Sequence, residues 1–204
     1  MQSTDRTEHD RNNCLPEIST VINGDIFCVR VLVPEDGSDE QIYAMTQRIG
    51  RDENRFNNEP YGMTREEFAQ WCIKQDAWSR GEMLPAGYVK QWTFWLHVNN
   101  VPVGYGRIRE KLTEQSKLFG GNIGYAVSNN FRGKGYGNYL FNSLLKFACM
   151  LGLETVLSTV EKCNPVSRAV HEKCGGILIS ENSERWFFSF DEAMKKIKER
   201  QNNA

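Results

Sequence analysis

The run Arg132-Gly133-Lys134-Gly135-Tyr136-Gly137 places three glycines and two cations between a stretch that alternates like a strand (Ile123, Tyr125, Val127) and one with helical periodicity (Leu140, Leu144, Phe147, Ala148, Leu151). Glycines let a backbone approach a ligand closely. The first turn of a helix leaves N–H groups without partners, and the helix dipole turns its positive end to the same place. The chemistry of such an arrangement is anion binding, to which Arg132 and Lys134 add charge. Two common phosphate-binding patterns are poorly met. A P-loop needs four residues between its first glycine and Gly-Lys-Ser/Thr, and neither Ser nor Thr follows Lys134. A dinucleotide loop wants G-x-G-x-x-G and an acid at the end of the next strand, whereas these glycines run G-x-G-x-G and Glu154 precedes its strand. On the hexapeptide alone, a glycine-rich turn without a ligand is the simpler reading.

The surroundings alter that balance. Arg132, Gly135 and Gly137 satisfy R/Q-x-x-G-x-G/A, and the segments N-I-G-Y-A-V-S-N-N-F-R-G-K-G-Y-G-N-Y-L, L-G-L-E-T-V and N-P-V-S-R-A-V-H-E-K-C-G-G follow in order. In order and spacing this resembles the GNAT superfamily of acyl-CoA N-acyltransferases, in particular a bacterial subgroup of predicted acetyltransferases, from about Val31 to Phe190. The resemblance implies an α/β (α+β) fold: a mixed central sheet with helices on both faces and a splayed pair of parallel strands. It implies acetyl-CoA as acyl donor, with no metal. By the same resemblance, backbone at Ala126, Val127 and Ser128 holds the pantetheine arm, and amides from Arg132 through Gly133, Lys134, Gly135, Tyr136 and Gly137 to Asn138 hold the pyrophosphate. Asn164 and Ser167, at the start of the next helix, complete the cofactor set.

The catalytic positions depart from the family pattern. Many members carry a Glu early on the strand before the loop, where it takes a proton from the amine; here that place falls on Gly121. Glu110 and Glu161, at the ends of the flanking strands, are the substitutes, each competing with the plain reading of a solvated strand-end charge, and a chain of water could also serve. The family's acid for the leaving thiolate is a Tyr seven residues after the helix-capping Asn, and counting from Asn164 gives His171. Ser167 and His171 stand at i and i+4 on a helix whose Val166, Val170 and Cys174 should face the core, so both are expected to border the groove. The alternative for His171 is an ordinary surface residue.

The implied function is acetyl transfer to a primary amine by direct attack. The runner-up is a non-catalytic module that binds acyl-CoA, and a further variant is another acyl chain such as succinyl or propionyl. The acceptor is an amine-bearing small molecule or peptide, held between the first two helices and the loop joining the last two strands, with Phe56, Tyr61, Trp71, Trp92 and Trp95 as candidates against a plain core-packing reading. Asp52, Glu53 and Glu59 supply acidity there.

Several elements must position these residues. Thr20 to Val33 reads as two strands turning at Asn23-Gly24, and Trp92 to Val98 with Pro102 to Arg109 as a second hairpin through Asn99-Asn100. Helices are expected over about 39–49 and 64–75, the second opening with Thr64 and Glu67 in capping-box spacing. A strand at 155–160 after the long helix makes a β-α-β unit, whose strands the crossover rule puts parallel in one sheet. Asn164 caps the next helix with Pro165 at its first position, and two strands and a charged helix follow.

Composition bounds the rest. A chain of 204 residues suits one domain, taken as 20–204 behind a polar tail at 1–19. With 25 Lys and Arg against 26 Asp and Glu, net charge −1, nothing recommends nucleic acid or an anionic membrane as a partner. The start MQSTDRTEHDRNN lacks an apolar core, so the cytoplasm is the default, and six widely spaced cysteines and three histidines offer no zinc-site spacing.

Overall fold

The computed structural model describes residues 15–203. Two hairpins build most of one sheet. β1 (Ile18–Ile22) and β2 (Asp25–Val31) turn at Asn23 and Gly24, with φ of 53° and 90°; β3 (Gln91–Val98) and β4 (Val101–Arg109) turn at Asn99 and Asn100, at 50° and 63°. These left-handed values are what Asn and Gly tolerate at low cost. β5 (Ile123–Val127) completes an antiparallel sheet of order β1-β2-β3-β4-β5, and β6 (Leu157–Glu161), β8 (Arg185–Ser189) and β7 (Ile177–Glu181) form a second, in the order β6-β8-β7. The folded part begins at Ile18, inside the stretch read as tail; residues 1–14, with His9 and Cys14, lie outside the described residues.

Helices cover both faces of the larger sheet, as the resemblance implies. Trp92, Phe94 and Leu96 meet Leu140, Leu144 and Phe147 of α4 (Tyr136–Met150). On the other face Trp95 and Tyr105 meet Ile42 and Met45 of α1 (Glu40–Gln47) and Phe68 and Trp71 of α2 (Arg65–Arg80). The Thr64–Glu67 capping box is formed, but α2 runs past its expected end, because Gly81, left-handed at φ 81°, is the first residue able to stop it. A short α3 (Glu114–Leu118), capped by Thr113, occupies what reads as a loop. α5 (Pro165–Lys173) and α6 (Asp191–Asn202) pack beside α4. Among the described residues no helix is long and apolar enough to cross a membrane.

The polar segment between α1 and α2 is pinned from below. Asn58, fully buried, donates through Nδ2 to the carbonyls of Thr46 and Ile49 and accepts the Tyr105 hydroxyl at 2.6 Å. Arg107 stacks on Phe56 and donates to the Asn57 carbonyl, and Trp71 Nε1 donates to Glu59 at 2.9 Å.

The strand–helix–strand unit corrects one expectation. β5 and β6 fall in different sheets and share no parallel ladder. They are joined only where they start: Asn122 N donates to Leu157 O at 2.7 Å, Asn122 Oδ1 accepts from Leu157 N at 3.0 Å, and Gly121 makes a single antiparallel bridge to Ser158. The left-handed φ of 76° at Gly121 turns the chain out of strand geometry, and the Asn122 side chain takes a bond that a ladder would have made. Beyond this point the facing edges are unpaired among the described residues, so the strands form an opening closed at one end.

Candidate active site

At the open end, Gly133 and Gly135 have φ of 75° and 80°, and nothing lies within 4 Å of where a Cβ would stand on either. Gly135 caps α4 without a side-chain hydrogen bond. The amides of Gly133, Lys134, Gly135, Tyr136 and Gly137 have no hydrogen-bond partner among the described residues. Five free N–H groups at the positive end of a 15-residue helix fit a pyrophosphate. Gly137 serves packing: a Cβ there would stand 3.2 Å from the Tyr125 ring. Lys134 is exposed, 5.7 Å from the centre of the Phe131 ring. Arg132 differs from the free cation expected, because its Nε donates to Val127 O at 2.8 Å and its guanidinium pairs with Glu53.

The register of β5 decides which backbone groups face the opening. Ser128 N donates to Val103 O at 2.9 Å and Arg109 N to Asn122 O at 2.8 Å. In an antiparallel pair such bonds alternate, so Ala126, opposite Tyr105, also spends its groups on β4, whereas Tyr125 and Val127 point theirs outward. Of the expected trio, only Val127 turns its backbone groups toward the opening; Ala126 and the Ser128 amide bond β4, and Tyr125, not among the three, faces outward as Val127 does. Period-two reasoning from the β4–β5 register was the signal that could have found it. The Ser128 Oγ is buried without a hydrogen-bond partner, as is Asn138 Oδ1.

Asn164 caps α5 as expected, its Oδ1 accepting from Ser167 N at 3.0 Å. Ser167 Oγ lies 3.3 Å from the Tyr125 hydroxyl, and burial pushes that phenol up to about 12. His171 is neither a groove nor a surface residue: it is 2% exposed, packed among Phe141, Phe188 and Phe190. The buried face of α5 is Val170, His171 and Cys174, while Val166 is 75% exposed, so two of the three expected core residues hold and His171 takes the place given to Val166. His171 Nδ1 donates to Ser167 O at 2.8 Å, leaving Nε2 of the neutral ring to accept from Ser158 Oγ at 2.8 Å. Burial lowers its pKa to about 4 against a smaller upward push from the Ser167 carbonyl. With both nitrogens engaged and the ring neutral near pH 7, it is ill suited to protonate a thiolate.

The carboxylates separate. A side chain at Gly121 is excluded, because its Cβ would stand 2.2 Å from Leu157 O. Glu110 follows β4 at the closed end, where it lines a groove with Lys117, Asn122 and Leu153. That is about five residues of strand, or roughly 17 Å, from Val127, so the structure does not bring Glu110 to the glycine loop. Glu161 ends β6, three residues beyond the Ser158 bridge, at the open end. Its Oε1 receives Arg55 at 3.0 Å and Arg185 at 3.2 Å.

Of the candidate acceptor aromatics, Phe56, Trp71, Trp92 and Trp95 are core residues, and Tyr61 alone is exposed, at 41%. Tyr61 lines a groove of about 550 Å³ with Gln47, Arg48, Gly50, Glu53, Asn129 and Asn130.

Solved structures share the fold at low identity. Ribosomal-protein-S5-alanine acetyltransferase from Vibrio fischeri has a TM-score of 0.62 at 15% identity over 84% of this chain and 95% of that one. A ribosomal L7/L12 α-N-protein acetyltransferase in complex with coenzyme A gives 0.59 at 12% over 80% and 92%, and the microcin C7 self-immunity acetyltransferase MccE, in complex with acetyl-CoA and AMP, 0.58 at 14% over 80% and 91%. No curated protein matches by sequence. The family model for the acetyltransferase (GNAT) domain matches residues 30–177, a span that holds both the opening between β5 and β6 and the glycine loop at its mouth, and by that match the chain belongs to the GNAT acetyltransferase family.

Proposed function

We propose that the protein transfers the acetyl group of acetyl-CoA to a primary amine by direct attack. The observation that carries this reading is the row of unpartnered amides from Gly133 to Gly137, beside a strand edge on which Tyr125 and Val127 turn their backbone groups outward. When bound, acetyl-CoA supplies a thioester whose carbonyl an amine can attack. The chain binds the pyrophosphate with the loop amides, aligns the pantetheine along the free edge of β5, and offers a strand N–H to the charge developing on the carbonyl oxygen. Arg132 must leave Val127 O for that alignment, and it reaches the phosphates once it is also released from Glu53.

Removal of the amine proton is assigned to solvent, since Gly121 has no room for a base and Glu110 stands at the other end of the strand. As the C–N bond forms the C–S bond breaks, and CoA leaves as its thiolate with little help, since its thiol pKa is near the ~8.5 of cysteine, and takes its proton from solvent. The acceptor is a small molecule or a peptide, drawn along the groove that holds Tyr61 and Glu53.

Turnover with two amines of different basicity, at saturating acetyl-CoA, tests this: the apparent pKa should move with the amine, and one unchanged enzyme-borne value near neutrality would reveal a protein base. A second reading, binding of acyl-CoA without turnover, is favoured specifically by the closed position at Gly121. Acetyl-CoA that binds by calorimetry but yields no free CoA across a panel of amines would establish it instead.

A further inference from the structure

The turn between α1 and α2 crosses the open end of the cleft. Glu53 reaches Arg132, just past β5, and two residues later Arg55 reaches Glu161, at the end of β6. Asn54 and Arg55 both adopt left-handed backbone, at φ 53° and 59°, a conformation Asn tolerates but a long side chain such as Arg seldom takes.

The two cations on Glu161 are unlike. The Arg185 side chain is 8% exposed and held by Thr159 Oγ1 at 3.0 Å and by the ring of Phe119. The Arg55 side chain is 71% exposed and comes from a strained turn. Arg185 alone satisfies the carboxylate from the core side, and an ion pair as exposed as Arg55 with Glu161 is worth little, between zero and about a factor of five in an equilibrium constant. The remaining neighbour is the Cys163 thiol, 3.3 Å from Oε2. Glu161 itself is 16% exposed, and of the two cations on its Oε1 Arg55 is the one open to water.

From this we infer that Glu161 is a subsite for a positively charged group on the acceptor, and that Arg55 occupies it in the free protein as an internal stand-in. The acceptor class is then an amine carrying a second cationic centre, such as a polyamine or a peptide with a basic residue near its amino end. Glu161 anchors the charge that is not acetylated, which gives this carboxylate a positioning role in place of the base role its sequence position suggests. The inference rests on the acetyltransferase reading above for what the bound cation is there to do.

Calorimetric titration of the full chain at low salt tests it, with spermidine as probe and 6-aminohexanoate, which has a carboxylate in place of the second ammonium, as control. Arg55→Ala should bind spermidine about three- to five-fold tighter, because the competing cation is gone, and should not gain affinity for 6-aminohexanoate. Glu161→Gln should lose at least ten-fold for spermidine. Spermidine binding in Arg55→Ala that is absent, unchanged or weaker overturns the inference, and Arg55, being exposed, can be removed without threatening the fold should Glu161→Gln fail to fold. The acetyl-CoA titration of the parent is read separately: its failure sinks the transferase reading and leaves the spermidine result standing.

Discussion

The two ends of β5 carry glycines of the same conformation for opposite reasons. At the closed end Gly121, φ 76°, is pressed against β6, with Leu157 O 2.2 Å from its Cβ position; at the open end Gly135, φ 80°, has nothing within 4 Å. One glycine seals the strands together and the other leaves amides free. A cleft in a sheet is thus built by a join as much as by a gap, and the join excludes a side chain where the family commonly places its base.

Substitution at each end separates contact from conformation. Gly121→Ala should cost about 3 kcal/mol or more in urea unfolding, overpacking against backbone adding to the strain of a left-handed Ala. Gly121→Glu should therefore not raise turnover. A loss near 1 kcal/mol would mean that β5 and β6 are not joined as described.

The closed end is also backed by His171, through Ser158 Oγ, which lies 3.2 Å from Ile123 O. The folded pKa, about 4, is below the ~6.5 of an unfolded histidine, so the unfolded chain binds the proton first as pH falls. The contribution is fully present above about pH 6.5 and is lost progressively toward pH 4. Between pH 7 and 5 the parent should lose about 2 kcal/mol more stability than His171→Gln. Equal losses would show a ring that charges freely in solution and would return His171 to the groove.

At the open end Gly135→Ala should cost only about 1–2 kcal/mol, from φ alone. Gly135→Val, however, should weaken acetyl-CoA binding at least ten-fold by covering the amides. A Val variant that binds like the parent would remove the loop from the site. The smallest effect belongs to Glu53→Gln: loss of an exposed ion pair should change stability by less than about 1 kcal/mol, while freeing Arg132 should tighten acetyl-CoA binding up to roughly three-fold at low salt. Weaker binding would mean that Arg132 needs Glu53 to be positioned.

Much of this was legible along the chain because it depends on local chemistry. Asn23-Gly24 and Asn99-Asn100 accept left-handed backbone, so the hairpins could be read from two residues each; Thr64 with Glu67 and Asn164 with Pro165 mark helix starts by hydrogen bonds that span three residues. The glycine loop was legible for the same reason, its free amides following from a helix that begins where no side chain can cap it.

What the tertiary structure decided involves partners far apart in sequence. That β5 and β6 meet only at their starts, over Gly121 to Ile123, depends on Leu157 and Ser158, which one residue type in a loop cannot announce. That His171 is interior depends on the space among Phe141, Phe188 and Phe190 beside Val170 and Cys174, whereas Val166 by its composition alone looked the better core residue. Glu110 and Glu161 were equivalent strand-end acids in the sequence, and only the strands' divergence put one at each end of the cleft. Residue type and short-range spacing determine which groups can bind an anion or end a helix; burial, register and electrostatic partnership come from long-range packing, and those decide which of the capable residues stand at the site.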